Sequence, residues 1–194
     1  MSEENNAEVF AKIEEETKKY LSGDNLKNAL DFIAYLRESG RTWVFSEYNP
    51  EFYYMGELTC LIVYLKYALD ETTLNEMRRK IEDAGNRFVY DPSSSWNICC
   101  WQHKDDIYEH DDFPVDEGLK EFARENVWKC IRCHADGGCG TFGGGHRTVF
   151  GKEFDNACSN VFQLANPNEK ELGYIIKLME LEKHIIADRK KKQE

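Results

Sequence analysis

Leu58-Thr59-Cys60-Leu61-Ile62-Val63-Tyr64-Leu65 is the stretch on which the fold turns. It is nearly all apolar, so it reads as a strand in the middle of a sheet, buried on both faces. Immediately upstream, residues 42–48 and the start of 52–67 are rich in Trp, Val, Phe and Tyr. They read as further strands, with Asn49-Pro50 and Gly56-Glu57 as the turns between them. Downstream the period changes. Asp70 opens a helix in which Leu74, Met77 and Ile81 share one face, and Gly85 closes it. Residues 87–90 and 95–102 return to a strand pattern. The centre of the chain is therefore a small, mostly antiparallel sheet carrying one helix.

On the N-terminal side, Val9, Phe10, Ile13, Thr17, Tyr20 and Leu21 recur at helical spacing from about 7 to 22. Gly23 interrupts, and Asp24 is the expected N-cap of a second helix with the stripe Leu26, Leu30, Ile33 and Ala34. Gly40 ends that helix at the position that favours a left-handed residue. On the C-terminal side, residues 103–114 carry Asp105, Asp106, Glu109, Asp111 and Asp112. The spacing and glycine of a calcium-binding loop are missing, so this segment reads as a solvated loop. A helix is expected over 115–128, with Leu119, Phe122, Ala123 and Val127 on one side. Another is expected over 168–188, after Asn166-Pro167, with the stripe Leu172, Ile175, Ile176, Met179 and Ile186.

The 194 residues suit one domain, or one domain with a small appendage. A net charge of −11 repels nucleic acid and anionic membranes unless a local basic patch offsets it. The run Arg189 to Lys192 is short and terminal and reads as a solvated tail. No apolar run approaches the roughly 20 residues that span a bilayer. The opening Met-Ser-Glu-Glu-Asn-Asn lacks the basic and apolar regions of a signal peptide. The expected compartment is cytoplasmic, where thiols stay reduced.

The seven cysteines fall into two groups. Cys60, Cys99 and Cys100 lie among large apolar strand residues and read as small buried hydrophobes, the adjacent pair on opposite faces. The other group runs Cys130-Ile131-Arg132-Cys133-His134-Ala135-Asp136-Gly137-Gly138-Cys139. A Cys-x-x-Cys turn places two thiolates on one side of a tight loop, within reach of one tetrahedral ion at about 2.3 Å. Gly137 and Gly138 let the chain turn back and bring Cys139 to the same centre. Cys158 is the leading fourth ligand; His134 and His146 are rivals. Residues 129–151 hold seven glycines, and ordering such a chain costs more than about 1 kcal/mol per residue. Metal binding contributes on the order of 10 kcal/mol, enough to offset that.

Other chemistries fit this segment less well. A thioredoxin-like dithiol opens a helix after a strand, whereas Cys130 follows an expected helix and leads into coil. Gly138-x-Gly140-x-x-Gly143 matches a dinucleotide fingerprint literally, but no apolar strand precedes it and no helix opens on it. Gly151-Lys152-Glu153 lacks the hydroxyl of a P-loop, and the deaminase signature is absent. Lys129, Arg132, Arg147 and Lys152 make the cluster locally basic, which keeps a zinc-dependent nucleic-acid module as an alternative.

The segment Cys130-x-x-Cys133, Cys139, then Thr148-Val149-Phe150-Gly151-Lys152-Glu153-Phe154-Asp155-Asn156-x-Cys158 and Asn166-Pro167, resembles a group of uncharacterised bacterial proteins with a cysteine-rich C-terminal element. Asn28 to Leu36 is similar to their N-terminal helix. The resemblance implies Cys158 as the fourth ligand and supplies no activity.

Together these readings give an α+β fold: a small, mostly antiparallel sheet, flanking helices and a C-terminal zinc-stapled helical element. Residues 1–128 form the α+β domain. Residues 129–194 form the cysteine- and glycine-rich element with the last helix, packed on the first part. The expected cofactor is a structural Zn2+ on Cys130, Cys133, Cys139 and Cys158. The expected role is binding of a small molecule or protein partner through an aromatic sheet region: Tyr48, Phe52, Tyr53, Tyr54, Tyr64, Tyr67, Trp96 and Trp101. An enzyme, redox or hydrolytic, centred on Cys130–Cys139 is the alternative. No catalytic residue is assigned, and neither nucleic acid nor membrane is an expected partner.

Overall fold

A computed structural model describes residues 3–45, 50–64, 71–86, 96–101, 106–131 and 144–193. Five helices and seven strands follow in the order α1 (Glu3–Tyr20), α2 (Gly23–Glu38), β1 (Thr42–Phe45), β2 (Pro50–Tyr54), β3 (Glu57–Tyr64), α3 (Glu71–Asp83), β4 (Trp96–Cys100), α4 (Glu117–Glu125), β5 (Val127–Lys129), β6 (Gly145–Val149), β7 (Lys152–Ala165) and α5 (Glu169–Lys191). The class is α+β, as expected. The strands form one sheet in the order β1-β2-β3-β4-β7-β5, with β6 also paired to β7, and every pairing is antiparallel.

Two hairpin turns set the registers. Met55 and Gly56 (φ 49° and 81°) join β2 to β3, and Phe150 and Gly151 (φ 46° and 79°) join β6 to β7. Two consecutive left-handed residues match the twist of the flanking strands, and a glycine at the second position takes that conformation without steric cost.

Alternation then sorts the side chains. Phe52, Cys60, Ile62, Ile98, Cys100, Phe162 and Leu164 point to one face. There they meet Phe10 and Ile13 of α1, Phe32, Ile33 and Leu36 of α2, Leu119 and Phe122 of α4, and Leu172, Ile175, Leu178 and Met179 of α5. Helix ends are tied down locally. Asn168 and Glu171 form a reciprocal capping box at the start of α5, and Asp116 accepts the Leu119 N–H at 2.7 Å at the start of α4. Asn28 Nδ2 donates to the Pro167 carbonyl at 3.0 Å, which fixes α2 against the entry to α5.

Several expectations need correction. The sheet is larger than the small one expected. The C-terminal third supplies the strands β6 and β7 as well as α5. The helix expected over 115–128 stops at Glu125, and Val127 belongs to β5. The strand buried at every position is β4 rather than β3, because Leu61 and Val63 are only half-buried. Ser22, not Asp24, stands at the N-cap of α2. The basic run is no loose tail. α5 continues to Lys191, and Arg189 and Lys190 both pair with Glu57 of β3. Cations in a last turn also complement the helix dipole. Among the described residues, no helix is long and apolar enough to cross a membrane.

Candidate metal centre

The glycine-rich segment leaves the sheet at Cys130 and returns at Gly144. Both points converge on one residue, Asn156 of β7. The Cys130 N–H donates to the Asn156 carbonyl at 2.7 Å, and Asn156 Nδ2 donates back to the Cys130 carbonyl at 3.2 Å. Asn156 lies at a register shift between Gly145↔Ala157 and Arg147↔Phe154, with φ 58°, a left-handed conformation that asparagine tolerates. Gly144 packs so closely that a Cβ there would collide with the Asn156 backbone and side chain.

Cys158 lies two residues beyond Asn156. Its side chain belongs to a small cluster with Ile81 of α3 and Trp128 of β5, and Ile131 packs against that cluster. Cys130 sits between Trp128 and Ile131 in the chain. Both thiols are buried, Cys130 at 9% and Cys158 at 5% exposure. Gln163 Nε2 approaches Cys158 Sγ at 3.6 Å, a donor suited to a thiolate. The outer edge of β5 is closed by Asn86, just past α3. The Lys129 N–H donates to Asn86 Oδ1 and Asn86 Nδ2 donates to the Lys129 carbonyl, both at 2.8 Å. The carboxamide thus substitutes for a neighbouring strand and protects the edge.

Cys133, Cys139 and the rival ligand His134 lie outside the described residues. Among the described residues no three His, Cys, Asp or Glu side chains form a metal-binding group.

His146 is exposed and hydrogen-bonds Asp155 at 3.0 Å, with Glu153 at 4.0 Å. The Asp155 hydrogen bond first, then the nearby carboxylates, push its pKa above the ordinary value.

Cys60 and Cys100 are opposite one another on β3 and β4, facing the helices. Burial pushes both thiols well above their usual pKa, so they are poor nucleophiles. Cys99 points to the other face and is also buried. Among the described residues no two cysteines are joined in a disulfide. Of the sheet aromatics, Phe52, Trp96 and Trp101 are core residues at 0–1% exposure. Tyr54 lies under Lys183 of α5, and Tyr53 is half-buried on the opposite face. Tyr48, Tyr67 and the Tyr64 side chain lie outside the description. Of the basic residues around the cluster, Arg147 is 8% exposed, while Lys129 and Lys152 reach solvent; Arg132 lies outside the described residues.

Two polar clusters went unforeseen. Arg41, just before β1, donates to Thr59 Oγ1 (3.2 Å), Tyr35 Oη (3.0 Å) and the Met179 carbonyl (2.9 Å), and the Tyr35 hydroxyl donates to Glu180 at 2.6 Å. Nearby, Glu182 is 1% exposed, and burial pushes its pKa well up against the pull of Arg41. Its position between Leu178 and Ile185 on the buried stripe was the available signal. At the other end of α5, His110 Nε2 meets Asp188 at 2.8 Å, Nδ1 accepts the Asp112 N–H, and the ring lies 5.3 Å from that of His184.

No family model, curated protein or solved structure matches the chain.

Proposed function

We propose that this chain is a zinc-binding protein in which Cys130, Cys133, Cys139 and Cys158 hold one structural Zn2+ as thiolates, and that its role is binding rather than catalysis. The observation that carries the reading is Asn156. It gathers both ends of the loop bearing Cys133 and Cys139 within two residues of the buried Cys158. Few side chains in that loop could offset its ordering entropy, and a closed tetrathiolate site supplies the missing bonds. A reducing, cytoplasmic setting belongs to the same proposal, since the ligands must stay thiols. The likeness to the cysteine-rich bacterial group is offered on the quoted residues alone.

We assign the binding surface to the outward face of β1 and β2 and the β2–β3 turn. Val44 and Met55 are exposed there, at 52% and 53%, and Tyr53 lies between them in the sheet. The occupant is a small molecule or a protein. The test begins with metal analysis of protein purified without added metal or chelator, with about one zinc per chain expected. Chelation is then followed by melting and thiol labelling together. A structural site loses stability and exposes four reactive thiols. Protein that carries no zinc, or loses it with unchanged melting and labelling, ends this reading. A single hyperreactive thiol before chelation would favour an enzyme instead.

A further inference from the structure

α3 has one buried side chain among those described, Ile81 at 2% exposure. It packs with Trp128, Cys158 and Ile131, apart from the main core. The helix ends through Gly85, at φ 69°, and the Asn86 N–H returns to the Ile81 carbonyl at 3.1 Å. That turn aims the Asn86 carboxamide at the Lys129 backbone, where it makes its paired hydrogen bonds. The described residues thus show two attachments of α3 to the sheet. One seats Ile81 in the same apolar cluster as Cys158. The other holds the residue next to Cys130.

We propose that docking of α3 is linked to metal loading, so that Zn2+ at Cys130 and Cys158 holds α3 on the sheet and its removal releases the helix. This rests on the zinc reading and adds a metal-responsive element to it. Coupling needs no relay, because the same small cluster forms the floor of the site and the seat of the helix. By reciprocity, whatever α3 docking contributes to zinc affinity, zinc contributes to α3 docking.

The experiment uses the full chain, zinc-loaded and after chelation, with metal content measured on each sample. Hydrogen exchange is then compared for 71–83 and for the α5 stretch 172–186. On chelation, exchange in 71–83 should accelerate about tenfold or more, while 172–186 holds its protection. Asn86→Ala should speed exchange in 71–83 in the loaded protein and weaken competition for Zn2+ against a coloured chelator by about the same factor. Metal removed with 71–83 still protected would overturn the linkage and leave the zinc site standing. Equal acceleration in both segments would overturn it too, since release would then be global unfolding. Failure of the chain to bind Zn2+ at all would remove the zinc reading, and the linkage with it.

Discussion

The helix-covered face of the sheet and the small cluster at β5–β7 are held together by different means. On the first, Phe10, Phe32, Phe52, Trp96, Trp101 and Phe162 are fully buried among aliphatic residues from four helices. Each large apolar side chain buried contributes about 1.5–3 kcal/mol, so that layer can hold itself by burial alone. On the second, the buried residues among those described are Ile81, Trp128 and Cys158. There the chain relies on individual bonds: Asn156 to Cys130, Asn86 to Lys129 and, on our proposal, zinc to four thiolates. The lesson is that a region poor in apolar side chains can still keep one geometry if a few polar groups are used twice. Asn156 and Asn86 each engage one peptide chain through both donor and acceptor.

The contrast can be broken most severely at Phe162. It is fully buried on the helix face beside Trp101, their rings 6.3 Å apart and edge-on. Phe162→Ala should cost about 3–5 kcal/mol in denaturant unfolding and loosen α3 along with everything else. A loss under about 1 kcal/mol would mean that the main layer is not the self-sufficient one.

Gln163, the next residue along β7, points the other way and tests the opposite region. Gln163→Leu removes the donor to Cys158 and should weaken zinc binding about 10- to 100-fold in chelator competition, with denaturant stability of the metal-free protein nearly unchanged. Unaltered affinity would show that the amide has no part in holding the sulfur.

Glu182 sharpens the comparison inside the main layer, where a carboxyl is buried in an apolar stripe. Its folded pKa is raised above the unfolded value of 4.5. Both states are protonated below that value, so burial then carries no penalty from ionisation. As pH rises through the interval up to the folded pKa, only the unfolded state releases its proton, and stability falls. Glu182→Gln removes this slope. The variant should match the parent near pH 4 and exceed it near pH 8 by on the order of 1–3 kcal/mol. A pH-independent difference in chemical denaturation would refute the assignment. The smallest effect is expected at the α5 cap, where Asn168→Ala should cost about 1 kcal/mol without altering zinc content.

Most of the helical layer was legible from residue spacing. The stripes in α1, α2 and α5 recur at helical spacing, with Gly40 after α2 and Asn166-Pro167 before α5 as punctuation. β6 and β7 were not legible as strands. Lys152-Glu153-Phe154-Asp155-Asn156-Ala157-Cys158-Ser159-Asn160 is polar, and the shift at Asn156 breaks the alternation on which strand reading depends. Gly151-Lys152-Glu153 was compared with a phosphate loop and set aside, but the hairpin that flanking Thr148-Val149 and Phe154 fit was not read there. Of the four expected zinc ligands, Cys130 is bonded through its backbone to Asn156, two residues before Cys158; Cys133 and Cys139 lie outside the described residues.

By itself the amino-acid order determined which residues are chemically able to hold a metal, which helices have an apolar side and where the chain must turn. Those properties depend on side-chain identity and on neighbours within a few positions. Only the tertiary structure decided that β7 lies against three strands, that Asn156 meets both Cys130 and Gly144, and that Ile81 of α3 packs with Trp128 and Cys158 rather than in the main core. Each of these is a pairing between segments far apart in the chain. Many partners satisfy the same local pattern, and the packing of the whole selects one.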